Sequence, residues 1–190
     1  VEFYVDGELV GIDHEEPYEC YWDASSLPDG SEHEVMAVAY DTVGNSASDT
    51  VRVRIDNTPP SLLKVSWSPT RPGPFQSVVV MACVEDALSG ISGGHLYYRV
   101  NYGEWHVTDM GVRYCGSVTR AVLYGVIPGL PKGSVVQFFV VVYDRAGNEA
   151  RSPVYTYVVG GKGHGGRIPG HGFSGMFATA EGARPKVVFS

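Results

Sequence analysis

Apolar and polar residues alternate along most of this chain with the period of a β-strand. In Ser31 to Asn57, SEHEVMAVAYDTVGNSASDTVRVRIDN, the positions Val35, Ala37 and Ala39 form one such row, and Val51, Val53 and Ile55 form another, interleaved with Arg52 and Arg54. A row of this kind predicts a strand with one dry and one wet face. Between the rows lies Asp-Thr-Val-Gly-Asn, where Gly44 and Asn45 tolerate positive φ and suit a tight reversal. The block returns at Gly133 to Val158. Tyr40-Asp41-x-x-Gly44-Asn45 becomes Tyr143-Asp144-x-x-Gly147-Asn148, 103 positions later. A self-match at about one domain length predicts two copies of one β domain.

The remaining rows fill in the two copies. Val1, Phe3 and Val5 share a face and end at the hairpin signal Asp6-Gly7. Leu9 to Ile12 returns, Tyr18, Cys20 and Trp22 form the next inward row, and Leu27-Pro28-Asp29-Gly30 turns the chain into the block above. In the second copy the rows are Leu63/Val65/Trp67, Val78/Val80/Ala82/Val84, Leu96/Tyr98/Val100, Trp105/Val107, Leu123 to Ile127, Val136/Phe138/Val140/Val142 and Val154 to Val158. Residues 135–142 are apolar almost without a break, which predicts a central strand buried on both faces. Val80, Ala82, Val136, Phe138, Val140 and Val142 are the expected core. No long stretch carries helical periodicity with caps, so the fold class is all-β: two antiparallel sandwiches in tandem.

The order VEFYVDG…YECYWDASSLPDGSEHEVMAVAYDTVGN…VRVRIDN over residues 1–57 resembles the bacterial and archaeal Ig-like modules that stand in tandem on secreted and cell-surface proteins. The second copy is similar to the fibronectin-III-like or Ig-like modules of surface proteins and secreted proteases. The resemblance implies three parts. Residues 1–57 are a module with strands C to G and without the usual A and B. Asp56-Asn57-Thr58-Pro59-Pro60 is a stiff junction, and residues 58–160 are a complete module. Residues 161–190 are a Gly-rich connector ending in a strand-like segment, since Lys186-Val187-Val188-Phe189-Ser190 echoes Lys64-Val65-Ser66-Trp67-Ser68.

Composition narrows the function classes. The 190 residues carry a net charge of −7 and no basic patch, which argues against nucleic acid as a partner. No apolar run approaches 20 residues, so no helical membrane span is expected. The resemblance places the chain outside the cell or on its surface. No nucleophile elbow or HExxH motif occurs, and the chain is expected to have no enzymatic activity. The six histidines have no tight metal spacing; His164 and His171 read as polar groups of the Gly-rich tail. Cys20 has core parity, and Cys83 and Cys115 leave a disulfide open. No Asn-x-Ser/Thr sequon is present.

Two constellations remain. The acidic loop residues Asp41, Asp56, Asp86 and Asp144 lie at strand ends, and the loops at one end of a sandwich converge. They are the candidate ligands for calcium, which takes several hard oxygens. The competing account is that an Asp in DxxGN accepts N–H bonds within its own turn. The second constellation is an interface: Val1, Phe3 and Val5 of the first module, and Met176, Phe177, Val187 and Phe189 of the tail. If the first module lacks two strands, the tail can pair with it in a neighbouring subunit by β-augmentation. The expected function is an extracellular structural protein, a segment of a filament, surface layer or adhesin, self-associating with neighbouring subunits or adjoining modules. The alternative is a non-catalytic accessory region of a secreted hydrolase, binding carbohydrate through Tyr97, Tyr102 and Trp105, unless those rings are engaged in cross-strand packing.

Overall fold

β-branched and aromatic residues at alternate positions favour a pleated backbone, and among the described residues every regular element is a strand. The structure, a computed structural model, describes residues 1–161 and the backbone of residues 186–188. The chain forms two compact units. One comprises Val1–Thr58 and takes in the end of the chain; the other is Pro59–Met176.

In the first unit, β1 (Glu2–Val5), β2 (Glu8–Ile12), β4 (Glu32–Tyr40) and β5 (Ser46–Arg54) form an antiparallel sheet in the order β2-β1-β4-β5. A separate ribbon pairs β3 (Glu19–Tyr21) with β15 (Lys186–Val188). The buried apolar residues are Phe3, Val5, Ala24, Val35 and Ile55. The expected row on β5 is only partly dry, because Val51 is 45% exposed. Burial also fades along β4, where Ala37 is half-buried and Ala39 exposed. Phe3 and Val5, expected at an open interface, are core residues of this unit, and Val1 is half-buried.

The second unit is a sandwich. One sheet has the order β10-β11-β7-β6: β6 (Ser61–Ser68), β7 (Val78–Glu85), β10 (Gly111–Tyr114) and β11 (Arg120–Ile127). The other has the order β13-β12-β8-β9, with β14 also on β12: β8 (Ile91–Val100), β9 (His106–Asp109), β12 (Val135–Asp144), β13 (Glu149–Arg151) and β14 (Tyr155–Val158). All six expected core residues, Val80, Ala82, Val136, Phe138, Val140 and Val142, are fully buried between the sheets. One expected row is corrected. A bulge in β6 pairs Leu62 with Val84 and Lys64 with Cys83, so Leu63 is the extra residue and stands 52% exposed, while Leu62, Val65 and Trp67 pack on the core.

β12 is buried on both faces as its apolar run predicts, and among the described residues no third layer covers it. Phe139 lies under a parallel Tyr97 ring with centroids 4.8 Å apart, an edge-on Trp105 ring at 4.9 Å, and the Arg151 guanidinium at 3.8 Å. Neighbouring strands thus shield the outer face with aromatic rings and one cation over a ring face.

Candidate functional site

Three of the four acidic candidates build the same local device. In the turn after β4, Asp41 Oδ1 accepts the N–H of Val43 (3.0 Å) and of Asn45 (2.8 Å), and Oδ2 accepts from the Asn45 side-chain amide at 2.6 Å. After β12, Asp144 accepts the Asn148 N–H and the Asn148 side-chain amide, both at 2.8 Å. The repeated Tyr-Asp-x-x-Gly-Asn therefore gives the repeated turn, with Gly44 at φ 92° and Gly147 at φ 95°. After β7, Asp86 Oδ1 accepts from Leu88 (3.1 Å) and Gly90 (2.6 Å), and Gly90 again has φ of 85°.

Their surroundings differ. Asp41 is exposed, and the bonds from Asn45 hold its carboxyl below the usual carboxylate range. Asp86 and Asp144 are 4% and 2% exposed, and their carboxylate oxygens lie within 4.8 Å of each other. Their loops are tied together: the Arg145 N–H donates to the Gly90 carbonyl (2.9 Å), and the Ser92 hydroxyl to the Asp144 carbonyl (2.6 Å). Two oxygens on one calcium at the usual 2.3–2.6 Å stand at most about 5 Å apart, so this pair fits such an ion. The sandwich thus brings Asp86 and Asp144 together at one end. Asp41 belongs to the first unit and is engaged in its own turn. Asp56, also in the first unit, accepts the Thr58 N–H at 3.1 Å. The roles of Gly90, Ser92 and Arg145 were not read from the sequence, although the spacing Asp86-x-x-x-Gly90 is close kin to the DxxGN turn.

The aromatic candidates separate. Tyr97 is stacked on Phe139, and Trp105 packs on Phe139 with the Arg99 guanidinium 4.6 Å over its ring. Both do the cross-strand packing weighed against sugar stacking. Tyr102, at the tip of the β8–β9 hairpin, is 67% exposed with the Arg99 guanidinium 5.8 Å from its ring centre, and Trp105 keeps 38% exposure. All three cysteines are free thiols; burial, and secondarily the charge of Asp13, pushes the Cys20 thiol up.

The tail candidates Met176, Phe177 and Phe189 lie outside the described residues, as do His164 and His171. The backbone of Val187 is described: β15 pairs antiparallel with β3 in the register Lys186–Tyr21, Val187–Cys20, Val188–Glu19. The tail thus meets the first unit of its own chain, where pairing with a neighbour was expected. β3 is held from its other side as well. The Glu19 N–H donates to Asp13 Oδ2 at 2.8 Å, and the Cys20 thiol fills the space over Gly11, where a Cβ would stand 2.5 Å from Sγ.

The first unit depends on carboxylates throughout. Asp6 accepts the Glu34 N–H (2.9 Å) and pairs with the His33 ring (2.7 Å), which lowers its pKa in that order of importance. Asp13 is lowered by the N–H groups of Glu19 and Glu15, and Asp29 by the Thr58 hydroxyl and the Asn57 N–H. With Asp41 that makes four groups whose folded pKa lies below the unfolded one. Such groups stabilise the fold above their unfolded pKa, about 3.9, and lose that contribution as pH falls through the folded values. The melting temperature of the first unit is therefore expected to hold from pH 7 to 5 and to fall below about pH 4. Asp6→Asn should flatten that fall. A melt unchanged between pH 5 and 3 would contradict the linkage.

Comparison with known proteins gives one family. The profile of the bacterial Ig domain matches residues 1–37, which covers β1 to β3 and part of β4. No curated protein matches the chain. Among solved structures, astrotactin-2, described as a conserved vertebrate-specific and perforin-like membrane protein involved in neuronal development, is similar with 14% identity and a TM-score of 0.42. That alignment covers 63% of this chain and 24% of the astrotactin-2 chain, and the likeness is too low to carry an argument. No helix among the described residues is long and apolar enough to cross a membrane. The bacterial Ig match supports an Ig-like module at the start of the chain and associates it with proteins at the cell surface or outside the cell.

Proposed function

We propose that this chain is a structural segment of an extracellular protein, without chemistry of its own, that assembles through its β modules into a filament, surface layer or adhesin. The observation that carries the reading is the bacterial Ig match at the start of an all-β chain. Sandwiches of this kind are rigid spacers whose sheet edges can pair with other chains. Asp86 and Asp144 share a calcium ion in this reading, which fixes two loops at one end of the second unit. An accessory role in carbohydrate binding is disfavoured by the packing of Tyr97 and Trp105 against Phe139.

Electron microscopy of the purified chain at rising concentration tests the proposal. Ordered filaments or sheets are the expected result. Lone monomers at every concentration, with and without calcium, would overturn it.

A further inference from the structure

The ribbon β3–β15 has an unusual economy. Among the described residues β15 is the only ladder partner of β3, and the ladder is three residues long. β3 does not depend on β15 for its place: Asp13 holds the Glu19 N–H, and Cys20 is seated over Gly11 of β2. The donor arrives from far along the chain. Residues 22–185, with the Gly-rich run GGKGHGGRIPGHGFSG among them, separate it from β3. A preformed acceptor and a short donor on a long tether satisfy the conditions for exchange. The bonds made with a neighbour's strand are the same as those made with the chain's own, so the exchange is nearly neutral in energy and is decided by concentration.

We propose that β3 is a strand-acceptor site whose ligand is residues 186–188 of a second copy of this chain, bound antiparallel with Val187 opposite Cys20. Each chain then gives one strand and takes one. Reciprocal exchange closes a dimer, and head-to-tail exchange runs on as a fibre. The proposal rests on the assembly reading above and names its joint. Other peptides with a Lys-Val-Val-like strand are alternative occupants that the same acceptor would take.

The test uses two full-length chains, each with one thiol. Both carry Cys83→Ser and Cys115→Ser. The first keeps Cys20. The second has Cys20→Ser with Val187→Cys. Directly opposed positions in an antiparallel ladder lie close enough for a disulfide, and a link between these two chains can form only between copies. Oxidation is done above pH 8, because the Cys20 thiol is pushed up by burial. The expected result is a mixed disulfide that exceeds both homodimers and grows with concentration. Moving the donor thiol to Val188→Cys, opposite Glu19, should lower its yield about ten-fold, since a one-residue offset turns the side chain to the other face. A mixed disulfide no more abundant than the homodimers overturns the exchange. So does a yield equal for the two donor positions. Melting curves of each variant confirm that the acceptor is folded. Filaments that form without the mixed disulfide would leave assembly standing and sink this joint; a mixed disulfide without filaments would support the joint and count against the filament.

Discussion

Phe138→Ala is expected to destabilise the second unit by about 3–5 kcal/mol, the largest effect of any single substitution considered for it. Phe138 is fully buried at the centre of β12. Its ring meets Trp67 edge-on at 5.3 Å, Tyr155 nearly parallel at 5.3 Å, and Tyr157 at 6.3 Å. Those three rings come from strands of both sheets, β6 and β14. Each is fixed by its own ladder, so they cannot close in on the missing ring, and the substitution leaves a cavity as well as a lost transfer term. For a unit of about 100 residues this is a fall of more than 12 °C in Tm, at roughly 4 °C or more per kcal/mol. Urea unfolding followed by tryptophan fluorescence measures it. Phe138→Leu, which leaves less empty space, should lose much less. A loss below about 1.5 kcal/mol for the alanine variant would mean that the core relaxes, and that the sheets are not locked as the rings indicate.

The second large effect concerns calcium. Two ionised carboxylates within 4.8 Å repel each other by about 3–4 kcal/mol at an effective dielectric constant near 20. The N–H groups that each accepts offset part of this, and a divalent cation between them reverses its sign. At a calcium concentration about 100 times the dissociation constant, the second unit should gain about 2.7 kcal/mol. That is a rise of roughly 10 °C in Tm, and a chelator should abolish it. Asp86→Asn and Asp144→Asn should each remove the calcium response, while Asp41→Asn, in a turn of the other unit, should leave it unchanged. A melt indifferent to calcium and chelator would sink the ion and leave the self-capped turns as the full account of these residues.

Much of this was legible because it is local. Period-two alternation in Val78–Val84 and Val136–Val142 names a strand and its dry face at once, and all the residues so chosen are buried. Tyr-Asp-x-x-Gly-Asn names a turn, because an Asp, a positive-φ glycine and an Asn close its hydrogen bonds within five residues. The failures share the opposite property. Leu63 has the parity of a core residue, yet a bulge turns it out, and a bulge depends on the partner strand. Val51 alternates correctly, but alternation cannot say whether anything lies against the face it creates. The guanidinium of Arg151 lies over the Phe139 ring because β13 pairs with β12, and no pattern within either strand announces that pairing.

The candidate site divides along the same line. The sequence by itself placed Asp41, Asp86 and Asp144 at strand ends and offered turn capping for the two Asp-x-x-Gly-Asn copies, because that chemistry is complete within a few residues. Only the tertiary structure decided that Asp86 and Asp144 meet in a buried place while Asp41 stays in water. β7 and β12 lie in different sheets, and only the packing of those sheets brings the two loops to one end. The tail shows the same limit. Lys186-Val187-Val188 reads as a strand from its residues, but a strand's partner is set by unpaired backbone elsewhere, and folding placed it on β3. A sequence specifies the conformations that short-range bonds satisfy; which surfaces then meet depends on contacts between residues distant along the chain, whose pairing no local pattern encodes.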